Sequence, residues 1–191
     1  LVRSRGLGDV YKRQILRGIN VSGKKIIKMD VLTKLLEELR LENVTTYVQS
    51  GNAVFSTNLT DIKEIGDLIH DKIVESLSFE VPVLILTIEK LKNIIENNPF
   101  LKDLSIDKEF LHYTFLANKL EEINTEKVES SKTEDEQYFI ADDVVYLYCP
   151  SGYGKTKLTN NFFEKLLNVS ATTRNQNTTT ALLQLALMRE N

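Results

Sequence analysis

One cysteine and two histidines are all the thiol and imidazole chemistry that 191 residues offer. The lone Cys149 excludes an intramolecular disulfide. A Cys–His metal cluster cannot be assembled from this set, so no metal and no cofactor is expected. Long apolar runs are also missing. The longest, Val81 to Ile88, suits a buried strand and falls far short of the roughly 20 residues that span a bilayer. No secretory signal is visible, and the natural setting is a reducing cytoplasm. What is present, 42% hydrophobic and 27% charged residues, is the composition of a folded globular chain.

The first fourteen residues differ from the rest. Leu1–Gln14 holds Arg3, Arg5, Lys12 and Arg13 against Asp9 and has no sustained periodicity. Its end, Asp9-Val10-Tyr11-Lys12-Arg13-Gln14, reads like a translated sequencing adaptor, and we treat 1–14 as a non-native segment. Removing its four basic and one acidic residue takes the formal charge from −3 to −6. An acidic domain argues against a broad nucleic-acid surface.

From Ile15 the pattern becomes regular. Ile15–Gly18 reads as the stump of a strand, followed by a loop with Asn20, Ser22, Gly23 and three lysines. From about Met29 a helix places Leu32, Leu35, Leu36 and Leu39 on one face. Val44–Gln49 and Asn52–Thr57 are β-rich runs joined across Ser50-Gly51, a two-residue hairpin signal. A second helix, Asp61–Ser78, carries Ile62, Ile65, Ile69, Ile73 and Leu77, and a strand follows from Val81. The order βαββαβ is that of a ferredoxin-like unit, 15–98, closed at Asn98-Pro99 after a short helix. The second half, 99–191, repeats the pattern more loosely. It has a strand at Phe110–Ala117, a hairpin across Asp142-Asp143, a helix from Lys155 to Leu167, a short strand at Val169–Thr172 and a closing helix. The expected fold class is α+β, two consecutive ferredoxin-like units.

Three words in this order are specific in combination: Arg17-Gly18-Ile19-Asn20-Val21, Tyr47-Val48-Gln49-Ser50-Gly51-Asn52 and Ala171-Thr172-Thr173-Arg174-Asn175. They resemble the bacterial domain-of-unknown-function family 1697. That resemblance implies two ferredoxin-like plaits and no established activity. Two positions depart from the family's habit. Arg40 stands where Gly is frequent after the first helix, and Gln176 where an aromatic is frequent. If Arg40 takes the left-handed cap, the cost is about 1 kcal/mol.

Gly152-Tyr153-Gly154-Lys155-Thr156 ends like a phosphate-binding loop, but the residue five before Gly154 is Cys149 rather than Gly. The plainer reading is a tight strand–helix turn, and the alternative is an anion contact through Lys155. Arg17, Asn20, Gln49, Arg174 and Asn175 sit at strand ends and turns, where arginine forks can hold a carboxylate or phosphate and amides can orient it. The plainer reading for Ser50 and Asn52 is local turn bonding. Nucleic acid is not expected, because the strand positions where RNA-binding plaits carry aromatics hold Asn52 and Val54. No nucleophile or acid–base pair stands out around His70, His112 or Cys149, so whether the chain is an enzyme stays open. The leading expectation is a binding module for a small anionic or phosphate-bearing ligand, held by Arg17, Asn20, Gln49, Lys155, Arg174 and Asn175. The alternative is a module that self-associates through its sheets.

Overall fold

The computed structural model describes residues 26–120 and 125–188 in full, and the backbone of 11–16. It is a mixed α+β chain with two four-stranded antiparallel sheets and, among the described residues, six α-helices. The chain divides into two compact units: one reaches to Leu91 and takes in the residues from Gln184 onward, the other is Lys92–Leu183.

The first unit runs β1 (Tyr11–Leu16), α1 (Met29–Glu38), β2 (Glu42–Tyr47), β3 (Asn52–Ser56), α2 (Ile62–Leu77) and β4 (Val83–Thr87), with sheet order β2-β3-β1-β4. Spacings of three and four bring Leu32, Leu35 and Leu36 of α1 together with Ile65, Ile69 and Ile73 of α2 over Ala53, Phe55 and Ile85. Each such side chain, once fully buried, contributes about 1.5–3 kcal/mol. Ile62, expected on the buried stripe, is 40% exposed, because it stands in the first turn beyond the edge of the core. Asp61 caps α2 by accepting from the amides of Lys63 and Glu64. Arg40 does take the left-handed conformation, φ 59°, just past α1. There its amide reaches the Glu37 carbonyl at 2.8 Å while Leu41 N reaches Leu36 O at 3.2 Å, the paired bonds of a Schellman ending.

Two boundaries differ from the sequence reading. β1 begins at Tyr11 and ends at Leu16, not at Ile15 and Gly18, so it takes in four residues of the segment set apart as foreign. A strand paired on both sides needs only backbone groups, and β3 and β4 supply them from Tyr11↔Ser56 to Leu16↔Val83. The first hairpin has a four-residue connection, not two. Tyr47 pairs with Asn52, and Val48–Ser50 forms a 3-10 turn closed by Gly51 at φ 76°.

α3 (Ile88–Glu96) follows β4. The second unit contains β5 (Leu111–Leu116), α4 (Thr125–Glu129), β6 (Gln137–Ile140), β7 (Val144–Tyr148), α5 (Asn160–Leu167) and β8 (Ala171–Asn175), with α6 (Gln176–Leu187) next. Its sheet order is β6-β7-β5-β8. Leu116, Val145, Leu147, Leu158, Phe163 and Ala171 form its core. A row of aromatics crosses the sheet: Phe139 opposite Tyr146, and Tyr146 opposite Tyr113. Tyr146 donates to the Ile94 carbonyl at 3.0 Å, and Tyr113 donates to Gln176 Oε1. Burial pushes both phenols up to about 12. Gln176 thus serves the packing through a hydrogen bond.

α5 starts at Asn160, five residues later than expected. The Thr156 hydroxyl accepts from Leu158 N and the Thr159 hydroxyl from Phe162 N, so turn chemistry delays the first helical residue. β8 is displaced likewise, to Ala171–Asn175 from the expected Val169–Thr172.

Candidate functional site

The polar residues that do more than close turns gather at one end of the second sheet. They come from the start of β5, the turn after β7, the first residue of α5 and the end of β8. His112 on β5 lies opposite Asn175 on β8, and its ring stacks on Tyr153 at 4.7 Å between centroids and 21° between planes. With Nδ1 assigned as the donor to the Phe110 carbonyl at 3.1 Å, Nε2 is left as the acceptor. Burial lowers the imidazole's pKa below its usual 6.5, against the opposing pull of the Phe110 carbonyl.

The Tyr153 hydroxyl accepts from Asn160 N at 2.9 Å and so fixes the entry to α5. Asn160 Oδ1 accepts from Thr173 Oγ1 at 3.2 Å, and Thr173 shares a 2.8 Å hydroxyl bond with the fully buried Thr114. With Oδ1 assigned to that bond, Asn160 Nδ2 is buried with no acceptor. Beside this chain lies Arg174, opposite Tyr113. Its guanidinium Nη1 donates to Thr172 Oγ1 and to the Thr173 carbonyl, both at 2.8 Å and both neutral. Desolvation lowers the Arg174 pKa to about 10, outweighing the raising effect of Tyr153.

The six residues expected to form a site fall out unevenly. Arg17 and Asn20 lie outside the described residues. Gln49 is exposed on the 3-10 turn of the first hairpin, in the first unit. Arg174 and Asn175 are adjacent at the end of β8, but Asn175 Oδ1 is committed to capping α6, where it accepts from Thr178 N at 2.9 Å. Lys155 is exposed in the turn, with its amide bonded to the Gly152 carbonyl at 3.0 Å. It does not open a helix, as expected for an anion cradle, since α5 begins five residues on. Ser50 and Asn52 hold local structure: Asn52 is fully buried and donates to Ser50 Oγ at 2.8 Å and to the Tyr47 carbonyl at 3.3 Å. Phe55 lies in the core. Burial, aided by the charge of Glu136, pushes the Cys149 thiol up to about 12, which makes it an inert core residue.

His112, Tyr153 and Asn160 were not singled out from the sequence, because their juxtaposition is made across the sheet and leaves no spacing rule to read. Elsewhere, a groove of about 300 Å³ follows α2, lined by Asp61, Lys63, Glu64, Asp67, Leu68 and Asp71. Four of these six residues are acidic, which disfavours an anion there. Among the described residues no cluster of His, Cys, Asp and Glu could hold a metal, and no helix is long and apolar enough to cross a membrane.

A solved structure of the conserved bacterial protein SP0830 from Streptococcus pneumoniae is similar in fold, with a TM-score of 0.68 and 22% identity. The match covers 94% of this chain and 99% of that one. No curated protein matches. The family model described as a protein of unknown function, DUF1697, matches residues 14–146, which take in the first two of the three words but not Ala171–Asn175. On that match over more than half its length, the chain belongs to the DUF1697 family.

Proposed function

We propose that the chain is a cytoplasmic binding module for a small anionic ligand, built on two ferredoxin-like plaits, with its site at the β8 edge of the second. Both units run β-α-β-β-α-β, and in both sheets the second and third strands of the unit precede the first and fourth, which is the plait order. The ligand lies against Arg174, with Asn160 as a neutral donor and Lys155 as an exposed point charge. His112 and Tyr153 form the wall. One observation carries this reading: Asn160 Nδ2 is a buried amide donor without an acceptor, and its Oδ1 accepts from Thr173, the residue before an arginine whose pKa is lowered chiefly by desolvation. A buried donor without an acceptor is what an anion satisfies.

Thermal unfolding with inorganic phosphate and pyrophosphate as probes tests it. A ligand at a hundredfold excess over its Kd stabilises by about 2.7 kcal/mol. For a chain of this size that raises Tm by roughly 5–10 °C. Arg174→Ala is expected to abolish the shift and Lys155→Ala to reduce it, each leaving the apo protein folded. A wild-type protein indifferent to both anions overturns the reading.

A further inference from the structure

We infer that the outer edge of β6 is a docking strand for an extended segment of another protein, apolar in the middle and basic at both ends. Among the described residues β6 is the terminal strand of its sheet and pairs with β7 alone, from Gln137↔Tyr148 to Ile140↔Val145. A terminal strand presents a row of backbone donors and acceptors to any chain that can lie beside it. At the centre of this one stands Phe139, 50% exposed.

Phe139 is not a stray surface aromatic. Its ring lies 6.2 Å from Tyr146, which lies 5.6 Å from Tyr113, so one flank is anchored in the aromatic row and, among the described residues, the other faces solvent. Tyr113 and Tyr146 are buried, so the exposed end of the row is Phe139. An added strand would set a side chain directly opposite Phe139, about 5 Å away, and extend the row by one position.

Charge selects the occupant. Glu134, Asp135 and Glu136 precede the strand, and Asp142 and Asp143 follow it. Glu134, Asp135 and Asp142 are exposed. Lys119 approaches Asp142 at 3.3 Å, but both side chains are 75% exposed, and such pairs contribute little. A second copy of this chain does not suit the edge. Pairing β6 with itself about a two-fold axis sets the acidic start of one strand against the acidic end of the other, and like charges directly opposite are destabilising. Phosphate-bearing strands are disfavoured for the same reason. A segment of alternating apolar and polar residues, with Lys or Arg about six residues apart, meets both acidic brackets at strand spacing.

The probe is a fluorescein-labelled synthetic peptide alternating valine and threonine over six residues, with two lysines at each end. Expected are saturable anisotropy that weakens with salt, and amide NMR shifts centred on Gln137–Ile140. Phe139→Ser should weaken binding about tenfold or more, as loss of an aromatic anchor does. Proline at the centre of the peptide should do the same. The double variant Glu134→Lys with Asp142→Lys keeps Phe139 and should switch the preference to a peptide ending in glutamates. Any of three results overturns the inference: no saturable binding at about 1 mM, weaker than the usual range of specific recognition; shifts confined to other elements; or sedimentation showing a dimer that Phe139→Ser dissolves.

Discussion

β4 and β8 hold the same place in their sheets and have opposite chemistry. Each is the last strand of its unit, antiparallel to the first strand, with Leu16↔Val83 and Arg13↔Leu86 in one and Leu116↔Ala171 and Tyr113↔Arg174 in the other. Yet β4 reads Val-Leu-Ile-Leu-Thr and β8 reads Ala-Thr-Thr-Arg-Asn. Ile85 packs into the first core, while its counterpart Thr173 bonds to Thr114 and Asn160. The pairing is satisfied equally well by aliphatic residues, so the polar chain through Thr114, Thr173 and Asn160 is not something the strand position demands. The loops that precede the neighbouring helices differ in step. Ser56 to Ile62 takes five intervening residues, whereas Tyr148 to Asn160 takes eleven, and the longer loop brings Tyr153 onto the His112 ring. Where two matching elements diverge this way, the divergent one is the place to look for function.

Exchanging the two chemistries is the hardest test of that view. Leu86 is 2% exposed, and Leu86→Arg would bury a charge with no prepared acceptors, at a cost of about 3 kcal/mol or more. Arg174→Leu removes a half-buried charge whose pKa desolvation already lowers. It should change stability by less than about 1 kcal/mol in either direction, because aliphatic replacement of a desolvated charge is often neutral. Equilibrium urea unfolding of both variants measures the asymmetry. Equal losses would mean that Arg174 is as structural as Leu86.

The two central hairpins offer a second contrast. The first turns through Val48 at φ 51° and Gly51 at φ 76°, and Gly51 is buried. The second turns from Ala141 N to Val144 O at 2.9 Å through Asp142-Asp143, neither at positive φ. Gly51→Val should therefore lose about 2 kcal/mol, since a β-branched residue in the left-handed region is strained and here has no solvent to turn toward. Asp142→Val at the other turn should lose less than half of that. Similar losses from the two substitutions would show that positive φ is not what sets the first turn apart.

These contrasts also mark what was readable in advance. Helices with strong stripes and capping side chains were legible, as Asp61 with Ile65, Ile69 and Ile73 shows, because periodicity and capping are local. So was the turn at Asp142-Asp143. The first hairpin was misjudged by two residues because Val48 is a strand former held at positive φ, and its neighbours, with Asn52 bonded back to Ser50 and Tyr47, override that preference. Of the candidate site, Arg174 and Lys155 were legible as cations near turns. His112 and Tyr153, 41 residues apart, meet only through the sheet.

Helix endings give a smaller effect. α1 ends on Arg40 at φ 59°, whereas α5 ends on Asn168 at φ 51°, and asparagine tolerates that region far better than a long side chain does. Arg40→Gly should raise stability by about 1 kcal/mol, and Asn168→Gly by only a few tenths. Paired melting curves decide it. An Arg40→Gly protein no more stable than wild type would mean that the arginine gains from contacts what its backbone loses.

The smallest effect concerns His112 and tests whether the β8 edge is poised for charge. Burial holds its pKa below 6.5, so the folded state prefers the neutral ring. As pH falls through about 6.5 the unfolded chain takes up the proton first, and stability is lost progressively down to the folded pKa; above that window it is flat. Asp103 and Asp135, whose pKa values are lowered by hydrogen bonds from Ser105 and Thr133 respectively, titrate at more acidic pH and are common to wild type and variant. The difference between wild type and His112→Gln therefore isolates the imidazole. Wild type should lose more stability than the variant between pH 7 and pH 5. With phosphate present that excess should shrink, because an anion at Arg174 and Asn160 would favour a protonated ring beneath Tyr153. A pH profile unchanged by His112→Gln would mean the imidazole is not desolvated. A profile that phosphate leaves unmoved would place the anion, if one binds, away from this edge.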